Sequence, residues 1–272
     1  MKKILIYLVM PVFILLFAQC KKSEDPASAK KTGALVLKFE HFADNASLAF
    51  DTLHYVNAAG NTYEVSEIQW FVSDVVLTKA DGSKVELDNN NFAHYIDTNL
   101  PETAIWKINN EVPAGEYAAI TFVFGIKGEK NMPFMFTDPP KSDMLWPSNL
   151  GGEQGGYHYM KLNGFWRNSA GEREPFNFHL GVGQTRDADG KVTGFVQNWF
   201  ESTLQGPVNI QANQTNTLGI RMNVEQWWEQ PHVYDHNTIG GKIMQNQQAM
   251  QMGVENGRNV FSLVQHAEDP VL

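Results

Sequence analysis

From Gly33 onward apolar and polar positions alternate with period two. In Ala34-Leu35-Val36-Leu37-Lys38-Phe39-Glu40-His41, the residues Leu35, Leu37, Phe39 and His41 share one face, the mark of a half-buried strand. Comparable runs cover 67–78, 91–97, 106–109, 116–126, 157–166, 175–182, 194–203, 208–210 and 217–223, rich in Val, Ile, Phe, Tyr and Thr. Turn signals such as Asp81-Gly82, Pro113-Ala114-Gly115, Ser169-Ala170-Gly171 and Asp187-Ala188-Asp189-Gly190 separate them. Helical spacing is confined to 240–252, with Ile243, Met244, Gln247, Met250 and Gln251. The pattern predicts an all-β fold: an antiparallel β-sandwich of immunoglobulin-like architecture with long loops and a short C-terminal helix. Two segments fit neither period. Residues 130–156 hold four Pro and many large apolar side chains, and 225–241 hold Trp227-Trp228 and Pro231-His232-Val233-Tyr234-Asp235-His236-Asn237. Loops of that length inside a compact domain are usually functional.

The N-terminus follows a different logic. Lys2 and Lys3 precede an apolar run over 4–18 interrupted only by Tyr7 and Pro11, which is the layout of a secretory signal and is short for a bilayer span. Leu16-Phe17-Ala18-Gln19-Cys20 resembles a bacterial lipobox, in which the Cys is acylated and becomes the mature N-terminus. The expected organisation is a lipoprotein signal over 1–19, then lipidated Cys20 and a flexible tether through 32. One domain with a C-terminal extension follows over 33–272. This places the protein in the bacterial cell envelope, anchored to a membrane and facing the periplasm or the exterior. The alternative is an ordinary signal peptide with a chance Cys.

Composition narrows the chemistry. Cys20 is the single Cys in 272 residues, which excludes a disulfide framework, multi-Cys zinc or iron–sulfur sites, and c-type haem attachment. The net charge of −9 becomes −11 once Lys2 and Lys3 leave with the signal, which argues against nucleic acid as a partner. No nucleophile elbow, P-loop, dinucleotide fingerprint or His-Glu-x-x-His motif occurs. No catalytic turnover is therefore expected.

Four blocks in order carry a family resemblance. The first is Gly60-x-x-Tyr63-x-Val65-x-x-Ile68-x-Trp70-Phe71-Val72-Ser73-Asp74-Val75-x-Leu77, and the second is Pro113-x-Gly115-x-Tyr117-x-x-Ile120-x-Phe122-x-x-Gly125-Ile126. The third is Met144-x-Trp146 followed by Gly156-Tyr157-x-Tyr159-x-Lys161-x-x-Gly164, and the fourth is Phe178-His179-Leu180-Gly181. Together they resemble the MbnP-like copper-binding domain over about 33–223, in a Bacteroidota-type lipoprotein branch. The resemblance implies an extracytoplasmic β-sandwich that holds copper. It also implies that a Trp can be oxidised to kynurenine by a dihaem, peroxidase-like partner. Many relatives carry Cys near the Phe-His-x-Gly block, and this chain has none there.

With no free thiol, a soft-metal site must draw on His, Met or a modified Trp. His158 and His179 lie on consecutive strand-like runs. If Arg167-Asn168-Ser169-Ala170 forms a four-residue hairpin loop, Trp166 faces Gly171, and every antiparallel pair sums to 337, as 158 and 179 do. The two imidazoles would then be cross-strand neighbours with Cβ atoms ~5 Å apart, the centre of a copper site. His41, closing the apolar stripe of the first strand, or His94, sharing a face with Phe92 and Ile96, is the expected third ligand. Asp97 and Asp235 are candidates to orient the ligands. His232 and His236 are weaker candidates, since local hydrogen bonding that knits the loop accounts for them better. The competing function is a metal-free surface sandwich that binds a glycan or protein through the exposed-looking Trp146, Trp166, Trp227 and Trp228.

Overall fold

The computed structural model describes residues 31–87, 92–147, 156–244 and 246–265. The signal, Cys20 and the tether as far as 30 lie outside the described residues. From Lys31 onward the chain forms one compact unit.

The first strands are β1 (Thr32–Ala43), β2 (Ala46–Ser47), β3 (Tyr55–Val56), β4 (Thr62–Thr78), β5 (Lys84–Glu86) and β6 (Ala93–Asp97). Then come β7 (Ile105–Lys107), β8 (Val112–Pro113), β9 (Gly115–Phe124), β10 (Met160–Arg167) and β11 (Arg173–Leu180). The last are β12 (Val182–Arg186), β13 (Val192–Gln197), β14 (Phe200–Ile210), β15 (Thr215–Asn223) and β16 (Phe261–Gln265). One sheet has the order β16-β15-β1-β2, with β7 and β8 also paired to β1. The other has the order β11-β10-β4-β9-β14, with β3, β5 and β6 also paired to β4. A two-stranded ribbon of β12 and β13 stands apart from both.

The architecture is the all-β sandwich expected from the alternation, with short helices. Leu35, Leu37 and Phe39 of β1 and Val65, Ile68, Trp70 and Val72 of β4 supply the facing apolar layers, all buried in one core. Burial of this surface is the main favourable contribution to folding. One pairing departs from the antiparallel pattern: β1 and β15 run parallel, Leu37 beside Leu218 and Phe39 beside Ile220. They are the first and nearly the last strands of the domain, so no hairpin constrains their direction.

Several boundaries differ from the alternation. The run expected over 194–203 breaks at Asn198 and Trp199 between β13 and β14, whereas Gly206 and Pro207 lie inside β14 at a register shift. A bulge accommodates Gly and Pro that would otherwise interrupt a ladder. The helix expected over 240–252 is displaced to α2 (Gln247–Gly257), because Asn246 caps it by accepting from the Ala249 N–H. A further short helix, α1 (His236–Ile239), lies within the aperiodic 225–241 segment, with the Asp235 side chain accepting from the Asn237 N–H.

Candidate metal centre

The β10–β11 hairpin positions the centre. Its register pairs Arg167 with Arg173 and Lys161 with His179, so paired numbers sum to 340. The loop is therefore Asn168–Glu172, one residue longer than expected and displaced toward the C-terminus, and His158 and His179 are not a ladder pair. They meet for another reason. β10 begins only at Met160, and a bend at Tyr159 breaks the two-residue parity ahead of it. Tyr157 bridges Leu145 instead, and the His158 N–H donates to Met144 O at 2.7 Å. This brings the His158 ring beside that of His179, centroids 5.2 Å apart and planes at 83°.

Each ring is oriented through one nitrogen. His158 Nδ1 lies 2.9 Å from Met144 O, and His179 Nε2 lies 2.7 Å from Asn163 Oδ1. Both partners are oxygens that only accept, so these nitrogens carry the protons. The amide orientation of Asn163 is set in turn, because its Nδ2 donates to Glu67 Oε2 at 3.2 Å. The remaining nitrogens, His158 Nε2 and His179 Nδ1, are buried without a hydrogen-bond partner among the described residues. They are therefore bare lone pairs, held where water would normally satisfy them.

Burial keeps both rings neutral. Desolvation, with the neighbouring His179 and Lys161 adding to it, holds His158 well below the ordinary range. Desolvation and then Lys161 bring His179 down to about 3. The Trp146 indole, fully buried, packs on His158 at a centroid distance of 4.6 Å. Gly181 makes this lid possible: a Cβ there would come within 2.2 Å of the Trp146 ring.

The other expected ligands sit elsewhere. His41 belongs to the opposite sheet, where its Nε2 accepts from Trp70 Nε1 at 3.1 Å. Its packed setting depresses it to about 4. His94 faces Thr103 O at 2.7 Å and stacks on Trp106 at 4.9 Å. Among the described residues no group of three His, Cys, Asp or Glu could hold a metal, so neither ring joins His158 and His179 as a third ligand. His41 is in the other layer, and His94, although in the same sheet as the pair, faces inward onto Phe39 and Trp106; alternation within one strand reports neither the layer nor which of its two faces meets the other sheet. His232 pairs with Glu255, whereas His236 is buried among Trp166, Phe176, Trp228 and Tyr234 with its Nδ1 on Asn57. Their four-residue spacing does not bring them onto one ligand, since His232 precedes α1.

Neither expected carboxylate orients a ligand. Asp97 accepts from the Tyr95 hydroxyl at 2.7 Å, from Gln69 Nε2 at 3.1 Å and from the Asn99 N–H at 2.8 Å. Asp235 caps α1 and accepts from Asn61 and Thr238. The orienting oxygens come instead from Met144 and Asn163. Asn163 carried no usable signal, because strict alternation from His158 places it on the opposite face and only the bend at Tyr159 reverses this. The Met144 carbonyl carries no side-chain signal. The four tryptophans that looked exposed, Trp146, Trp166, Trp227 and Trp228, are all buried.

Fold and site together define a β-sandwich with adjacent neutral imidazoles, buried His158 and half-buried His179, a donor set suited to copper or zinc. A family model described as MbnP matches residues 32–249, and the chain belongs to that family. A solved structure described as MbnP from Methylosinus trichosporium is similar over 72% of this chain and 78% of its own, at 14% identity and a TM-score of 0.48. No curated protein matches.

Proposed function

We propose that this protein is a cell-envelope lipoprotein that holds copper on His158 Nε2 and His179 Nδ1, without catalytic turnover. The observation that carries the reading is the pair of buried, unpartnered nitrogens on adjacent rings. Leaving such atoms unsatisfied costs about 1–3 kcal/mol each, a cost that an ion on both would remove. The residues fit the ion. Two imidazoles sharing a metal at ~2.0 Å per nitrogen have centroids ~5–6 Å apart, and 5.2 Å lies in that span. Each ring also donates its other N–H to an oxygen, the usual arrangement for a metal-bound His. Two neutral donors, with no anionic one in the group, suit Cu(I) better than a divalent ion.

Membership of the family supports copper over zinc. By the family resemblance a Trp can be oxidised by a dihaem, peroxidase-like partner, and Trp146 is the indole in ring contact with His158. What bound copper supplies is a redox-active soft cation. The chain supplies orientation through Met144 O and Asn163 and exclusion of water through Trp146. The glycan-platform reading loses its main support with the burial of the four tryptophans.

The test is Cu(I) titration under a competing chelator, with wild type, His158→Ala and His179→Ala compared. Each substitution should weaken affinity by at least about tenfold, the low end of what even an orienting partner contributes. Unchanged affinity in both variants would show that the pair is structural only.

A further inference from the structure

We propose that Lys161 is a charge filter on the imidazole pair, admitting a monovalent cation and disfavouring divalent ones. The inference rests on the reading of His158 and His179 as ligands.

Lys161 and His179 are direct cross-strand partners. Both point to the outer face of their sheet, since they alternate with buried Met160 and Leu162 on β10 and buried Phe178 and Leu180 on β11. Directly paired residues on one face have Cβ atoms ~5 Å apart. The ammonium is also tethered: Lys161 Nζ donates to Asp143 O at 2.6 Å. The next carbonyl along the chain, Met144 O, takes the His158 Nδ1 proton. The cation and the second imidazole are thus fastened to consecutive carbonyls of one segment. One hydrogen bond holds the ammonium on the segment that also orients His158.

The ion pairs among the described residues do not include Lys161. Glu67, Asp143 and Asp97 stabilise its charged form through space without an ion pair, and Lys161 is the charged side chain that acts on both rings.

Coulomb repulsion scales with the product of the charges, so a divalent ion on the pair meets twice the penalty of a monovalent one. The partly buried setting leaves that penalty weakly screened by salt. Removing the charge while keeping the stem should therefore help divalent ions by about the square of the factor by which it helps monovalent ones.

The experiment titrates the full chain at neutral pH with Ag(I), a monovalent probe that does not change oxidation state, and separately with Zn(II). Wild type, Lys161→Met and Lys161→Arg are compared. In Lys161→Met, Zn(II) affinity should rise at least about tenfold and Ag(I) affinity about threefold, whereas Lys161→Arg should keep the wild-type ratio. Equal gains for both ions, or no gain for either, overturn the filter. If wild type binds Ag(I), loses it in His158→Ala, and Lys161→Met leaves the ratio unchanged, the ligand reading stands and the filter falls. If wild type binds no Ag(I), both fall. If a thermal melt shows Lys161→Met unfolded, Lys161→Gln is judged by the same ratio.

Discussion

Three histidines carry values that bear on stability at the residue scale. His179 and His236 are brought to about 3 by desolvation, the latter against an opposing pull from Asp235, and His41 to about 4. Folded values below the ordinary 6.5 mean that the unfolded chain binds more protons between the two. The stability from keeping these rings neutral is thus complete above about 6.5 and is lost as pH falls toward the folded values. Each such group contributes up to ~1.4 kcal/mol per pH unit. Taking His179 and His236 alone, stability should drop by on the order of 3–4 kcal/mol between pH 6.5 and 5. Urea unfolding at pH 7, 6 and 5 checks this, and a midpoint independent of pH over that range would refute it.

At the scale of elements, the lid depends on a close approach between two segments. Trp146 sits against the backbone of Gly181, one residue past the end of β11, and the same indole packs on His158. Both the aromatic and the strand are buried, so neither can give way to an added methyl. Gly181→Ala is expected to destabilise the fold by about 1–3 kcal/mol, the usual cost of overpacking. It should also weaken copper binding, because the displaced indole no longer orders the segment that carries Met144 O. A variant that retains wild-type melting temperature and affinity would show that the lid has room to spare.

For the whole molecule, attachment is the open quantity. No helix among the described residues is long and apolar enough to cross a membrane, and the proposed envelope location rests on Cys20. Acylated lipoproteins carry more than one chain, which stable anchoring requires. Cys20→Ser should therefore move the protein from the membrane fraction to the soluble fraction of a lysate. If the variant remains in the membrane fraction, the lipobox reading fails. The acidic net charge, −11 once Lys2 and Lys3 leave with the signal, would raise the local concentration of cations around the domain, while the two imidazoles and Lys161 decide which of them binds.

Alternation along 34–41 and 67–78 was enough to identify strands and their buried faces, because side-chain direction in a strand is a local property with period two. The blocks ending in Gly125-Ile126 and Phe178-His179-Leu180-Gly181 were enough to indicate the family. Contacts between segments were not legible. The hairpin register depended on whether Glu172 joined the loop, and the meeting of His158 with His179 depended on the bend at Tyr159 and on the Met144 carbonyl. The separation of His41 from that pair depended on which layer its strand entered, and that of His94 on which face of the shared sheet it occupies, the one packed on Phe39 and Trp106. Which faces are apolar is written residue by residue. Which donors converge is decided only when distant segments pack, since that outcome minimises the free energy of the whole chain rather than of any one strand.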